Sequence, residues 1–122
     1  MKKILIVDDQ PEVRELVEVT LLSDDYVIYK ADRGDKAVEI AIREKPDVIL
    51  MDIMMPGSID GLEATRILKN NPQTREACIV LLTAKGQKND IEKGFQAGAD
   101  DYFIKPFSPL ELLKKIDDVL NK

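Results

Sequence analysis

Three short aliphatic runs in this chain each stop at a chemically active residue. Ile4-Leu5-Ile6-Val7 stops at Asp8-Asp9, Val48-Ile49-Leu50-Met51 at Asp52, and Ile79-Val80-Leu81-Leu82 at Thr83. A run of four aliphatic residues without polar alternation reads as a strand buried on both faces, which points to a parallel sheet covered by helices. In such sheets ligands bind in the crevice outside the carboxyl ends of the strands. The runs therefore predict three carboxylates and a hydroxyl at one rim.

Helices and strands alternate between these runs. Val13, Leu16, Val17, Thr20 and Leu21 give one face of a helix around 11–23, followed by a strand over 26–31. Ala37, Val38, Ala41 and Ile42 mark a second helix that ends before Pro46. After the loop Met55-Pro56-Gly57-Ser58, a helix near 60–70 carries Leu62, Ala64, Ile67 and Leu68. A polar, glycine-containing helix near 88–98, a strand at Tyr102-Phe103-Ile104 and a helix over 110–120 complete the chain. Five βα units predict an α/β fold, a doubly wound five-stranded parallel sheet with right-handed crossovers.

With 122 residues the chain is expected to form one domain spanning 1–122, long enough for a single core. Its net charge of −5, spread along the sequence, gives no basic footprint for direct nucleic-acid binding. A single cysteine, Cys78, excludes an internal disulfide framework and fits a reducing compartment. The aliphatic run after Met1-Lys2-Lys3 ends at two aspartates, too short for a signal peptide, and no stretch reaches membrane-spanning length. A cytoplasmic protein without membrane association is expected.

Each rim residue also has a plainer reading. Asp9-Gln10-Pro11-Glu12 has capping-box spacing, so Asp9 reads equally as a helix cap. A cap needs only one carboxylate, however, and Asp8 beside it adds repulsion. Asp52 lies several residues before the next helix, beyond a Pro-Gly loop, so capping does not explain it. Thr83 alone reads as an ordinary β-branched strand residue, and Lys105 before Pro106 as a solvated lysine. Their convergence on one rim favours chemistry. Clustered carboxylates repel by roughly 4 kcal/mol per pair at about 4 Å and an effective dielectric near 20, so they need a cation. Hard oxygen donors of this number suit Mg²⁺. A carboxylate, a divalent metal, an ammonium and a hydroxyl together stabilise a phosphoryl group in transfer. The simplest chemistry is attack by Asp52 on a phosphoryl donor.

Four segments carry a family resemblance over the whole chain. They are Ile6-Val7-Asp8-Asp9, Leu50-Met51-Asp52-Ile53-Met54-Met55-Pro56, Leu82-Thr83-Ala84, and Gly98-Ala99-Asp100-Asp101-Tyr102-Phe103-Ile104-Lys105-Pro106-Phe107. In this order and at this length the chain resembles a two-component response regulator receiver domain of the single-domain, chemotaxis-regulator kind. The resemblance implies a flavodoxin-like sheet of strand order 2-1-3-4-5. It implies that Asp52 is the phosphoacceptor, charged by a sensor histidine kinase or a histidine phosphotransfer protein. Asp9, Asp52 and the Met54 backbone carbonyl would bind Mg²⁺, with Asp8 acting largely through water. Lys105 would pair with the phosphoryl group, next to a cis peptide bond at Pro106. Thr83 and Tyr102 would switch on phosphorylation and change the face of the fourth helix, fifth strand and fifth helix, which would meet an unidentified downstream protein.

Against the family pattern, Gly57-Ser58-Ile59 makes the loop before Asp60-Gly61 one residue longer than is commonest. Leu110 stands where members that dimerise as winged-helix transcription factors usually carry arginine, while Lys115 and Asp101 fit their pattern. A monomer or a phosphorylation-dependent dimer is expected. Lys85 lies where the family tunes the phosphoryl lifetime. An aspartyl-phosphate phosphatase would need an acid at Met54, and a flavodoxin-like cofactor binder a Ser/Thr/Gly-rich loop in place of Asp8-Asp9-Gln10-Pro11. A kinase-independent binding module is the remaining alternative. The chain is not expected to be a turnover enzyme beyond its own phosphorylation and slow dephosphorylation. Without histidine it cannot itself be a histidine kinase or phosphotransfer domain.

Overall fold

The computed structural model describes residues 1–22 and 25–121. Ten elements alternate: β1 (Lys2–Val7), α1 (Pro11–Leu21), β2 (Tyr26–Ala31), α2 (Gly34–Glu44), β3 (Val48–Asp52), α3 (Gly61–Lys69), β4 (Cys78–Ala84), α4 (Lys88–Ala97), β5 (Asp101–Lys105) and α5 (Pro109–Leu120). The strands pair in parallel in the order β2-β1-β3-β4-β5, as the resemblance implied. Ser23, at the expected end of the first helix, lies outside the described residues; α1 closes at Leu21. No helix of the described residues is long and apolar enough to cross a membrane.

The aliphatic runs form the centre of the sheet, and strand alternation divides their side chains between two layers. Leu5, Val7, Ile49, Met51, Ile79 and Leu81 pack with Ala37 and Ala41 of α2 and with Ala64 and Leu68 of α3. Ile4, Ile6, Val48, Leu50, Val80 and Leu82 pack with α1 and α5 through Val17, Leu21, Leu112, Ile116 and Val119. β3 is buried along its whole length.

Two aliphatic residues of the predicted helices lie at the edges of the buried faces. Ile42 of α2 and Ile67 of α3 are each 36% exposed. On α2 the residue packed beside Ala37, Val38 and Ala41 is Ile40, which follows Ala37 by three positions. On α3 Thr65 is buried instead, its hydroxyl donating to the Gly61 carbonyl at 2.8 Å. Reuse of its own helix's carbonyl lets a polar residue lie inward.

Gly61 and Gly94 mark two different kinds of close approach. A Cβ on Gly61 would run into the carbonyl oxygen of Asp52, whereas one on Gly94 would run into the end of the Leu81 side chain. Gly61→Ala is expected to cost about 2–3 kcal/mol, because the backbone of the β3–α3 connection must move. Gly94→Ala should cost less, because Leu81 can change rotamer and alanine regains about 1 kcal/mol of helix propensity. Urea denaturation of both variants checks the order; a Gly94→Ala loss equal to that of Gly61→Ala contradicts it.

Candidate functional site

Side-chain alternation decides which rim residues meet. Asp8 and Asp52 continue the row of Ile4, Ile6, Val48 and Leu50 toward α1 and α5, and Lys105 follows Phe103 in that layer. Thr83 continues the opposite row of Ile79 and Leu81. The sheet order reverses between β1 and β3, so Asp8, Asp9 and Asp52 stand at the switch point where such folds bind ligands.

Asp8 is fully buried. Its N–H donates to the Ala31 carbonyl at 3.1 Å, Oδ1 accepts from the Gln10 N–H at 2.9 Å, and Oδ2 accepts from Lys105 Nζ at 3.0 Å. Arg14 Nη1 donates to the Asp8 carbonyl at 2.6 Å. Asp52, 5% exposed, accepts the Met54 N–H on Oδ1 at 3.3 Å, and its Oδ2 lies 3.6 Å from Lys105 Nζ. Asp9 is exposed. One carboxylate oxygen from each of Asp8, Asp9 and Asp52 lies within 4.8 Å of the others. Burial, reinforced by the charge on Asp8 and opposed by Lys105, pushes the Asp52 carboxyl up to about 7. Three hard oxygen donors facing one ammonium leave a deficit of positive charge, which fits a small divalent cation such as Mg²⁺.

A cavity of about 280 Å³ is lined by Asp9, Gln10, Asp52, Met54, Ala84 and Lys105. Met54 and Ala84 also border a second cavity of about 170 Å³ that reaches Thr83, Gln87 and Asp90. A larger one, about 320 Å³, lies at the opposite end of the sheet beside Lys45, Pro46 and Asp47 and touches none of these groups. Thr83 is buried, and its hydroxyl donates only to the Ala84 carbonyl at 3.4 Å. Tyr102 faces outward, 37% exposed, with its ring edge-on to Phe95 at 6.2 Å. The Lys105–Pro106 bond is cis.

The capping reading of Asp9 is corrected. The N-cap of α1 is Gln10, with Pro11 at the first helical position, and no side chain caps the helix there. Proline prefers that first position, so it sets the helix start one residue later than the Asp9–Glu12 spacing implied. Three neighbours of the site were not singled out from the sequence. Gln10 Oε1 lies 3.5 Å from Lys105 Nζ, Arg14 holds the Asp8 backbone, and Gly61 admits the Asp52 carbonyl. The Asp60-Gly61 pair was a usable signal for the last of these, because glycine just inside a helix start suggests a close approach.

Residues 4–117 match the family model described as the response regulator receiver domain. The transcriptional regulatory protein ResD of Bacillus subtilis is 40% identical over 120 residues, which cover 98% of this chain and 48% of ResD. The chain spans about half the length of the curated relatives it matches. Among solved structures, the chemotaxis response regulator CheY4 of Vibrio cholerae is similar with a TM-score of 0.90 at 32% identity, covering 98% of each chain. The receiver domain of the sensor histidine kinase PA1611 from Pseudomonas aeruginosa, solved with a magnesium ion coordinated in its active site cleft, gives a TM-score of 0.89 at 35% identity. That match covers 99% of this chain and 98% of the PA1611 domain. In sequence and in fold alike, the chain belongs to the response regulator receiver domain family.

Proposed function

We propose that this chain is a phosphorylation-activated switch in which Asp52 accepts a phosphoryl group from a sensor histidine kinase or a histidine phosphotransfer protein. The carrying observation is the Asp52 carboxylate, buried yet lining a cavity of about 280 Å³, with Lys105 Nζ at 3.6 Å. Asp8, Asp9, Asp52 and the Met54 carbonyl are the ligands we assign to Mg²⁺, which when bound neutralises the acidic cluster and the phosphoryl oxygens. An Asp52 oxygen attacks phosphorus, the bond to the donor nitrogen or oxygen breaks, and the electron pair leaves with the donor. Lys105, already shared between Asp8 and Asp52, then pairs with a phosphoryl oxygen and offsets the new charge.

Thr83 is the hydroxyl we expect to turn toward the phosphoryl oxygens, since its 3.4 Å bond to the Ala84 carbonyl is easily exchanged. Tyr102 would follow inward, changing the face of α4, β5 and α5 on which Phe95, Tyr102, Ile104 and Leu110 are exposed. That face is the surface proposed for an unidentified protein partner. Catalysis is confined to the chain's own phosphorylation and its slow reversal: Met54 stands where a phosphatase of related chemistry would need an acid.

Incubation with acetyl phosphate and Mg²⁺ should give a single phosphoryl adduct by intact mass, absent with EDTA and absent in Asp52→Asn. A folded protein that takes no adduct would favour the kinase-independent binding module instead. A second expectation concerns the metal-free protein. The folded carboxyl of Asp52 sits at about 7, above the roughly 3.9 of an unfolded chain, so the folded state binds this proton more tightly. The group's contribution is therefore fully present below pH 4 and is lost as pH rises through 7. In EDTA, Asp52→Asn should gain stability over wild type between pH 4 and 7.5, by at most about 1.4 kcal/mol per pH unit, and Mg²⁺ should shrink the gain. Paired urea titrations at several pH values measure this; a difference independent of pH removes the electrostatic account.

A further inference from the structure

We propose that Gln10 is a positioning residue for phosphoryl transfer, holding the Lys105 ammonium at the mouth of the Asp52 cleft. The proposal rests on Asp52 being the phosphoacceptor and goes beyond it by assigning a residue that is neither a metal ligand nor in contact with phosphorus.

The first argument is what Gln10 does not do. It occupies the N-cap of α1, where Ser, Thr, Asp and Asn are favoured because a short side chain reaches back to the first free N–H groups. Among the other polar caps of this fold, Asp60 accepts from the Glu63 N–H and Ser108 forms a full capping box with Glu111, while Arg33 and Gln87 make no side-chain cap bond. Gln10 makes no cap hydrogen bond. Helix α1 therefore forgoes a stabilising contact that Ser, Thr, Asp or Asn would supply.

The second argument is where the side chain goes instead. Gln10 Oε1 lies 3.5 Å from Lys105 Nζ, on a strand 95 residues away, while the Gln10 N–H is fixed by Asp8 Oδ1 at 2.9 Å. Gln10 thus touches both partners of the Lys105–Asp8 ion pair. It also lines the same cavity as Asp52 and Lys105.

The third argument is the competition for the ammonium. Lys105 is a flexible four-carbon stem with a point charge, free to follow its strongest partner. That partner is Asp8, at 3.0 Å and fully buried, and it draws the charge into the protein. Gln10 is exposed and offers an acceptor on the solvent side. A neutral amide oxygen does so without adding a fourth negative charge to the cluster, which a glutamate would. Losing this acceptor leaves Nζ with Asp8 and Asp52 alone, and without its anchor at the cleft mouth it meets an incoming phosphoryl group more slowly.

Gln10→Ser and Gln10→Met test the idea. Serine is a good cap that cannot reach Lys105; methionine keeps the length but has no oxygen acceptor. Time courses of phosphorylation by acetyl phosphate at saturating Mg²⁺, read by intact mass, should be about three- to tenfold slower in both, the value of one long hydrogen bond to a charged group. Urea midpoints should rise for Gln10→Ser, so the better-capped protein is the slower one, a split that a purely structural role would not produce. Wild-type rate in either variant overturns the proposal. Failure of wild type itself to take an Asp52-dependent adduct overturns the phosphoacceptor reading, and this proposal falls with it.

Discussion

The carboxylates of Asp8, Asp9 and Asp52 repel one another, and the fold denies them room to separate. Asp8 is tied through its N–H to Ala31, through its carbonyl to Arg14 and through both carboxylate oxygens to Gln10 and Lys105. Asp52 ends the most buried strand, and its carbonyl is backed by the α-carbon of Gly61. Among the described residues, Lys105 is the one cation within 4.0 Å of either carboxylate. Burial of Asp52, with the repulsion from Asp8 added to it, raises its proton affinity. A site in this condition gains from anything that brings positive charge, which favours the metal-assisted phosphoryl chemistry proposed for it.

The two sides of the cleft are built to different standards. On the Lys105 side, Phe103 and Phe107 stack with ring centres 4.5 Å apart, flanking the lysine, and the Ser108–Glu111 capping box starts α5 at once. Lys115 pairs with Asp101 at 3.2 Å and lies over the Phe103 ring, fixing α5 against β5. On the Thr83 side, residues 84–89 are exposed, Gly86 takes a φ of 87°, and α4 begins without a side-chain cap. Few buried contacts and an uncapped helix start put this segment at the low end of local stability. The charged groups are thereby preset while the hydroxyl and its helix can yield.

Much of this was legible in the sequence, for a physical reason. Strands buried on both faces leave continuous aliphatic runs, and their ends name Asp8, Asp52 and Thr83 directly. Period-two alternation then sets Asp8 and Asp52 on one row and Thr83 on the other. What escaped depends on contacts between distant segments. The link from Gln10 to Lys105 arises when the sheet closes, and local spacing carries no trace of it. For the packing of Gly61 on Asp52, the Asp60-Gly61 pair signals a close approach without naming its partner. The Asp9 cap misled because its spacing is a local rule that the stronger preference of Pro11 overrides. Ile42 and Ile67 show that an aliphatic residue at the edge of a helical stripe has the same spacing signature as one at its centre.

Sheet register gives the proposed switch a short path to the surface. Thr83 pairs with Ile104 across the β4–β5 ladder, and Leu81 with Tyr102. Leu81 is also the side chain against which Gly94 of α4 closes, and Tyr102 in turn touches Phe95 on α4. A displacement at Thr83 therefore reaches exposed positions of β5 and α4 through one strand pairing and two side-chain contacts. No movement of the tightly packed β1–β3 core is required. An edge strand with an uncapped helix beside it is where a fold can hold two arrangements, because few buried contacts oppose the change there.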